Sequence, residues 1–421
     1  MPALLGLAVL LPFVWPQPLL AQAGPSGAMA TDSAVVVGKP ADSALPGQDS
    51  THAEDVHPQD SQVDRGFLIA KPDRQATLRI FGSVRLHGGY DLNGLQSSDY
   101  FDTYAIPTGS ANKAEPRFFM DMNETRLGIE SRNETSVGDL LMHIEGDFRS
   151  STKTLRLIHA YGMVMRFMAG LTWSTFGDPS SIPATVDVIG PNSSVGERAI
   201  QGRFTRELRN KLKFAFAIET PTPEITQPES VVTEPSFQNI PNLAARIKKS
   251  GEWGHLQLAG VLRGLTAKTV ANGSQKLPGY GGLVSGRAVL NERQDLLFQV
   301  VGGQAIARYI AALAGTGQDV FYDATTDQFA TVPVVAWQLA FGHRWRPHLQ
   351  SFATAGGVGI HTRDFQPADA LKRTDYASAN LMWNRISGLR AGLEYSWGRR
   401  VNKDGGNGTA NRISFSIYYD Y

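Results

Sequence analysis

The chain contains no cysteine among its 421 residues. That excludes a disulfide scaffold and thiolate metal sites, and it fits an address in the cell envelope. Nor is there a helical membrane span, because no stretch after residue 23 stays apolar long enough to cross a bilayer as a helix. His-Glu-x-x-His, Gly-x-Ser-x-Gly and Walker patterns are missing. The nine histidines are scattered without metal-ligand spacing. The expectation is therefore a protein that is not an enzyme, with no metal, no cofactor and no nucleic-acid partner.

What is present begins with an export signal. Leu4 to Leu20 is mostly apolar, and Ala21-Gln22-Ala23 is a small-x-small cleavage site. The leading Met1-Pro2 carries no Lys or Arg, which such a signal ordinarily has. Pro12, Pro16 and Pro18 argue against a free-standing helix here. Residues 24–74 are rich in Ala, Ser, Asp, Pro and Gly and poor in aromatics. Such a segment buries too little apolar surface to offset its ordering entropy, so a flexible polar tail is expected. Residues 1–74 hold 4 Lys+Arg against 8 Asp+Glu, which leaves 36 against 31 for the remainder. A near-neutral whole thus hides a mildly basic body at 75–421.

From Thr77 onward the dominant period is two, the mark of strands with one face in each of two environments. Leu78, Ile80, Val84, Leu86 and Tyr90 share one face, and Arg79, Ser83, Arg85 and His87 the other. Leu140, Met142, Ile144 and Phe148 stand against His143, Glu145, Asp147 and Arg149. Near the end, Ile413, Phe415, Ile417, Tyr419 and Tyr421 oppose Arg412, Ser414, Ser416 and Asp420. Sixteen strands are expected, starting near 77, 118, 138, 155, 166, 199, 210, 242, 254, 279, 295, 332, 347, 375, 387 and 411. Alternate connections are tight, as at Asn133-Glu134-Thr135-Ser136, Ser250-Gly251-Glu252 and Arg346-Pro347. The others are long: about 92–116, 178–198, 220–241, 265–278, 309–331, 361–374 and 400–410. The loop around Ser150–Thr154 is the short exception.

Short turns on one rim and long loops on the other are the signature of outer-membrane barrels. Lipid offers no hydrogen-bond partners, so only a sheet closed on itself can span with strands. The fold class expected is all-β: a 16-stranded antiparallel transmembrane β-barrel in the bacterial outer membrane, with short periplasmic turns and long extracellular loops. Its partners there are outer-membrane lipid and lipopolysaccharide. The terminal Tyr421 fits the membrane–water boundary that aromatics prefer.

Several stretches carry a family resemblance. Gly82-Ser83-Val84-Arg85-Leu86, Asn123-Glu124-Thr125-Arg126-Leu127-Gly128, Glu145-Gly146-Asp147-Phe148, His159-Ala160-Tyr161-Gly162 and above all Ala169-Gly170-Leu171-Thr172-Trp173-Ser174-Thr175-Phe176 resemble the DcaP-like porins of Gram-negative bacteria. The resemblance covers the layout of 77–421 and is sharpest over about 80–206. It implies a homotrimeric, sixteen-stranded porin admitting small anions, dicarboxylates among them. That family's prototype has a helical, coiled-coil-like N-terminal extension, whereas residues 24–74 show no heptads and several prolines.

Selectivity is expected to reside in two places. The loop 178–198, apolar and small in its middle, should fold inward and constrict the lumen, with Asp187, Glu197 and Arg198 as candidates. By the alternation, Arg79, Arg85, Arg126, Arg156, Arg203, Arg246, Arg263 and Arg287 point inward, where they would line the pore and favour anionic solutes. Arg126, Arg156 and Arg203 flank the loop along the chain. Many of these arginines should pair with the fewer inward acids, Glu130, Glu145, Asp147, Glu219, Glu394 and Asp420. The expected function is passive uptake of small hydrophilic solutes with a preference for anions. The alternatives are an outer-membrane barrel enzyme and a gated, substrate-specific receptor. The enzyme needs a Ser/His/acid cluster that is not evident. The receptor needs a plug domain, for which a 50-residue polar tail is too small.

Overall fold

The computed structural model describes residues 36–38, 57–58, 60, 65–71, 75–95, 99–109, 115–227, 238–269 and 273–421. The export signal at 1–23 lies outside them, as does most of 24–74 and with it any N-terminal extension.

Sixteen antiparallel strands follow one another around a closed sheet. They are β1 Ala76–Asn93, β2 in two pieces (Arg117–Asp121 and Arg126–Thr135), β3 Gly138–Asp147, β4 Arg156–Val164, β5 Phe167–Trp173, β6 Arg198–Leu208, β7 Leu212–Glu219 and β8 Asn242–Gly251. The second half is β9 Gly254–Thr269, β10 Gly273–Asn291, β11 Gln294–Gln304, β12 Pro333–Arg346, β13 Leu349–Ile360, β14 Leu371–Ile386, β15 Leu389–Asn402 and β16 Asn407–Asp420. Each pairs with its neighbour in the chain, and β16 returns to β1 with Asp420 opposite Ser83 and Ile413 opposite Tyr90. Tyr421 completes the seam, its N–H donating to the Gly82 carbonyl at 3.1 Å. The wall thus closes on itself through in-sheet pairing, which lipid requires.

The alternation carries through to the two faces. Ile129, Ile144, Ile218, Leu258, Val284, Leu339, Leu393 and Ile417 are exposed on the outside of the wall. Their neighbours Glu130, Glu145, Glu219, Gln257, Ser285, Gln338, Glu394 and Ser416 are buried within. Trp253, Phe167, Trp345 and Tyr419 stand exposed near the tight-turn rim, where an aromatic girdle belongs.

Two connections differ from the sequence expectation. The 265–278 segment is not a loose loop: β9 and β10 pair up to Thr269 opposite Gly273, so the hairpin stands up beyond the rest of the wall. Likewise β15 and β16 approach to Val401 opposite Asn407, leaving a four-residue turn in place of a loop from 400 to 410. In both, the alternation continues past the lipid band into polar residues, and ladder bonds sustain it where hydrophobic contrast no longer marks it. Two long loops also share structure. Ile225–Thr226 runs parallel to Val320–Phe321, which pairs with Gln328–Thr331.

Part of the segment taken as a flexible tail is held against the barrel. Phe67–Ala70 pairs antiparallel with Thr77–Ile80 of β1, on the edge that β16 leaves uncovered below Asp420, and also with Val36–Gly38. A bare β1 edge there would expose unpaired N–H and C=O groups, and the added strand caps them.

Inside, the lumen is divided. An apolar cluster joins Phe176 and Val195 with Ile306, Tyr309, Ile310 and Leu313, all packed on the inward Ala244, Val261, Leu283, Val301, Ala336 and Val358 of β8–β13. This half of the inner wall is greasy, contrary to a uniformly polar lining, because two loops fold back onto it and need an apolar floor.

Candidate functional site

The connection after β5 is led into the lumen by an acid two strands along the sheet. Glu219, inward at the end of β7, accepts from Ser174 Oγ (2.9 Å) and from the Thr175 N–H (2.8 Å). Asp178 then makes the main anchor. Fully buried, it lies 3.2 Å from Lys248 Nζ, 2.8 Å from His255 Nε2 and 2.8 Å from Ser285 Oγ, on β8, β9 and β10. Burial alone would raise its carboxyl, but Lys248 and the His255 hydrogen bond outweigh that and hold it well below the ordinary aspartate range. A single 3-10 turn, Pro179–Ser181, follows.

Inward amides receive the loop from there. Gln299 Nε2 donates to Ser181 Oγ (2.9 Å) and Gln338 Nε2 to the Ser181 carbonyl (3.1 Å). Asn380 Nδ2 donates to the Ala184 carbonyl at 2.9 Å, and Glu394 accepts the Val186 and Asp187 N–H groups at 3.2 and 3.3 Å. Gly392 makes this approach possible, since a Cβ there would fall 2.6 Å from Val186 Cγ2. The returning arm is fixed by Val195 N–H on Gln299 Oε1 (2.8 Å) and by backbone bonds from Ala311 and Ala312 to Ser194 and Asn192. The loop at 178–198 therefore crosses the lumen along β8–β15, with Ile182, Val186 and Val195 buried under it.

The expected constriction acids separate. Asp187 is fully buried, accepts the Phe101 N–H at 2.6 Å and lies 4.0 Å from Arg412 Nη1. Burial raises its carboxyl against the pull of Arg412 and His87. Glu197 keeps a third of its side chain accessible beside Arg308, 3.9 Å away.

The arginines also separate. Arg263 is committed to the loops, bonded to Asp319 at 2.8 Å, to the Thr222 carbonyl at 3.0 Å and to the Ala305 carbonyl. Arg287 sits near the tight-turn rim, paired to Asp295 at 2.6 Å. Arg79, Arg203 and Arg246 are buried, inward residues of β1, β6 and β8. Arg126 pairs with Glu145 (3.2 Å), and Arg156 grips both oxygens of Asp147 (2.9 and 2.7 Å).

Register places several of these in one row. Arg390 on β15 stands opposite Tyr418, and Tyr418 opposite Arg85. Both guanidiniums lie over the Tyr418 ring, at 5.3 and 4.8 Å from its centre. Arg126 opposes Ser83 two residues from Arg85, and across β3 the row continues through Asp147 to Arg156. Arg390 binds Asp420 in a fork at 2.8 and 2.9 Å. Arg85 instead has Nε on Ser83 Oγ at 2.6 Å, and neither of its terminal nitrogens bonds a described residue. This row lies on β15–β16–β1–β4, and on β15 and β16 it sits nearer the tight-turn rim than the loop's contacts at Glu394 and Arg412.

At the foot of the loop Trp173 gathers a second group. The Arg198 guanidinium lies 3.8 Å from its ring centre, His57 stacks on it at 5.2 Å, and its Nε1 donates to Asp60 at 3.1 Å. Asp60 also approaches Arg126 Nη1 (3.4 Å) and His159 Nε2 (3.6 Å).

Sequence reasoning missed Asp60 and His57, because a polar, proline-rich stretch reads as solvated. It also missed the anchor Asp178–Lys248–His255. One signal was available: Lys248, His255, Gln257, Ser285 and Gln299 are inward polar positions on four adjacent strands, more than water alone explains.

Residues 60–421 match the family model described as DcaP outer membrane protein. Among solved structures, the outer membrane channel DcaP of Acinetobacter baumannii is similar with a TM-score of 0.73 at 19% identity, covering 84% of this chain and 99% of that one. An anion-selective porin from Comamonas acidovorans is similar with a TM-score of 0.55 at 8% identity, over 82% of this chain and 100% of that one. A loop-deletion mutant of OmpT from Vibrio cholerae follows, with a TM-score of 0.52 at 10% identity and the same coverage. At these identities the likeness is one of fold, the closed barrel. No curated protein matches the chain.

Proposed function

The chain belongs to the DcaP outer membrane protein family, and on that premise we propose that this outer-membrane channel passes small hydrophilic solutes passively and prefers anions, dicarboxylates among them. The observation that carries this reading is the row Arg390–Arg85–Arg126–Arg156, which register sets side by side on the inner face of β15–β16–β1–β4. Loop 178–198 narrows the lumen from the β8–β15 side, so solutes pass along the arginine arc. The row's acids, Asp420, Glu145 and Asp147, are each taken up by an arginine. Arg85 is fully buried beneath the row, and the accessible positive charge is carried by Arg156, 43% exposed, and Arg390, 18% exposed; fixed charge of this sign attracts anions and repels cations in a narrow aqueous slot. The planar fork of Arg suits carboxylates in particular. Asp187 is buried and adds no accessible negative charge opposite. A homotrimer is proposed on the family resemblance, and lipopolysaccharide as its outer-leaflet neighbour. No catalysis is proposed.

The test is the zero-current potential of the purified channel in a planar bilayer under a potassium chloride gradient. Chloride preference is expected, with Arg156→Glu shifting the potential toward the cation side. A wild-type channel that is unselective or cation-selective overturns the reading.

A further inference from the structure

The Trp173 group is a carboxylate site that already holds a carboxylate. Asp60 comes from the segment ahead of the barrel, yet its oxygens reach three groups of the inner wall. Oδ2 accepts from Trp173 Nε1 at 3.1 Å, and Oδ1 lies 3.4 Å from Arg126 Nη1 and 3.6 Å from His159 Nε2. These come from β5, β2 and β4, so the site is built by the barrel and not by the segment. The segment is shaped to present the acid: Asp60 Oδ2 accepts its own His57 N–H at 2.8 Å, and the His57 carbonyl accepts the Asp60 N–H at 2.9 Å, closing a tight turn. The His57 ring then stacks on Trp173 from the same turn.

The surrounding charge is mixed and favours one anion. Arg126 also faces Glu145 at 3.2 Å, and His143 lies 3.5 Å from Glu145 on the far side. Arg198 covers the Trp173 face. Withdrawing Asp60 leaves Arg126 half-neutralised by Glu145, while Trp173 Nε1 loses its acceptor and the carboxylate 3.6 Å from His159 Nε2 is gone. Buried donors left without a partner are unfavourable, so the emptied site should take another carboxylate.

We propose that Asp60 is a built-in occupant of a solute carboxylate site formed by Arg126, His159 and Trp173, and that solute binding requires its displacement. The proposal rests on the anion-path reading above and adds its ligand class, a carboxylate of a small solute, together with a competitor carried by the same chain. Competition of this kind lowers apparent affinity by the fraction of time the site stands free: an occupant present ~90% of the time weakens solute binding about tenfold.

The chain has no cysteine, so Asp60→Cys in the full-length protein supplies a single thiol. Block of the chloride current by succinate is titrated in bilayers for wild type, Asp60→Asn and Asp60→Cys. Both variants should bind succinate about tenfold more tightly than wild type. Reaction of Asp60→Cys with a sulfonatoethyl methanethiosulfonate restores a negative charge and should return the weak wild-type affinity, while the trimethylammonioethyl reagent should not. Asp60→Asn keeps the shape of the turn, so it reports even where the cysteine variant folds poorly. Succinate affinities within about twofold of wild type in both variants, or equal effects of the two reagents, overturn the proposal. An anion-selective wild type with an indifferent Asp60 defeats this inference alone. A wild type that neither prefers chloride nor is blocked by succinate defeats the reading beneath it.

Discussion

Replacing Asp178 by Asn should release the inward loop from the wall and leave the barrel standing. The carboxylate is fully buried and meets Lys248 Nζ, His255 Nε2, Ser285 Oγ and Ser180 Oγ at 2.7–3.2 Å. Its removal takes the carboxylate counter-charge from Lys248, itself only 3% exposed. Breaking a buried pair from one side costs about 3–5 kcal/mol. The remaining tethers by Gln299, Gln338 and Asn380 are neutral hydrogen bonds worth about 1 kcal/mol each. Losing Asp178 thus outweighs any one of them, and the detached loop becomes more populated. Single-channel recording should show larger, noisier openings, and limited proteolysis should cut within 178–198. The heat-induced unfolding of the barrel should move little. Adding Lys248→Met should recover most of the loss, because removing both members of a buried pair is close to neutral. The pH dependence has a definite sign. The native carboxyl is held below its ordinary value, so its contribution is complete above that value and is lost only as the pH falls beneath it toward the depressed one. The difference between wild type and Asp178→Asn should accordingly be the same at pH 5 and pH 7. Unchanged conductance, noise and proteolysis in Asp178→Asn would refute the anchoring role.

Three further outcomes follow from the same geometry. Gly392→Ala places a methyl 2.6 Å from Val186 Cγ2, so the loop tip should shift and Glu394 should lose the Val186 and Asp187 N–H groups. A change in conductance without a change in barrel melting checks it. Arg263→Met strands Asp319 and frees Thr222 and Ala305; proteolysis should accelerate in 220–227 and 305–332, with a local cost of about 3–5 kcal/mol. Leu258→Arg puts a charge on the lipid face and should lower folding stability in vesicles by about 2–4 kcal/mol. Gln257→Ala, one residue away, should instead loosen only the Gly177 contact, and a similar loss for both would contradict the assigned faces.

Much of this barrel was legible residue by residue, because each strand's alternation records its two environments locally. Strand order needed only the turn lengths, since antiparallel neighbours joined by tight turns have one way to pair. The inward loop was legible too, as an apolar stretch too long to leave in water. The arginines were legible as inward but not as free or bound. Whether Arg126 meets Glu145, or Arg263 meets Asp319, depends on register between strands and on loops that return from far along the chain. Asp60 and His57 were out of reach of composition, because a polar turn shows no signal until a wall with matching donors stands opposite it. Local period determined the barrel and its faces; closure of the sheet, which brings distant residues into one lumen, decided which of its charges are paired.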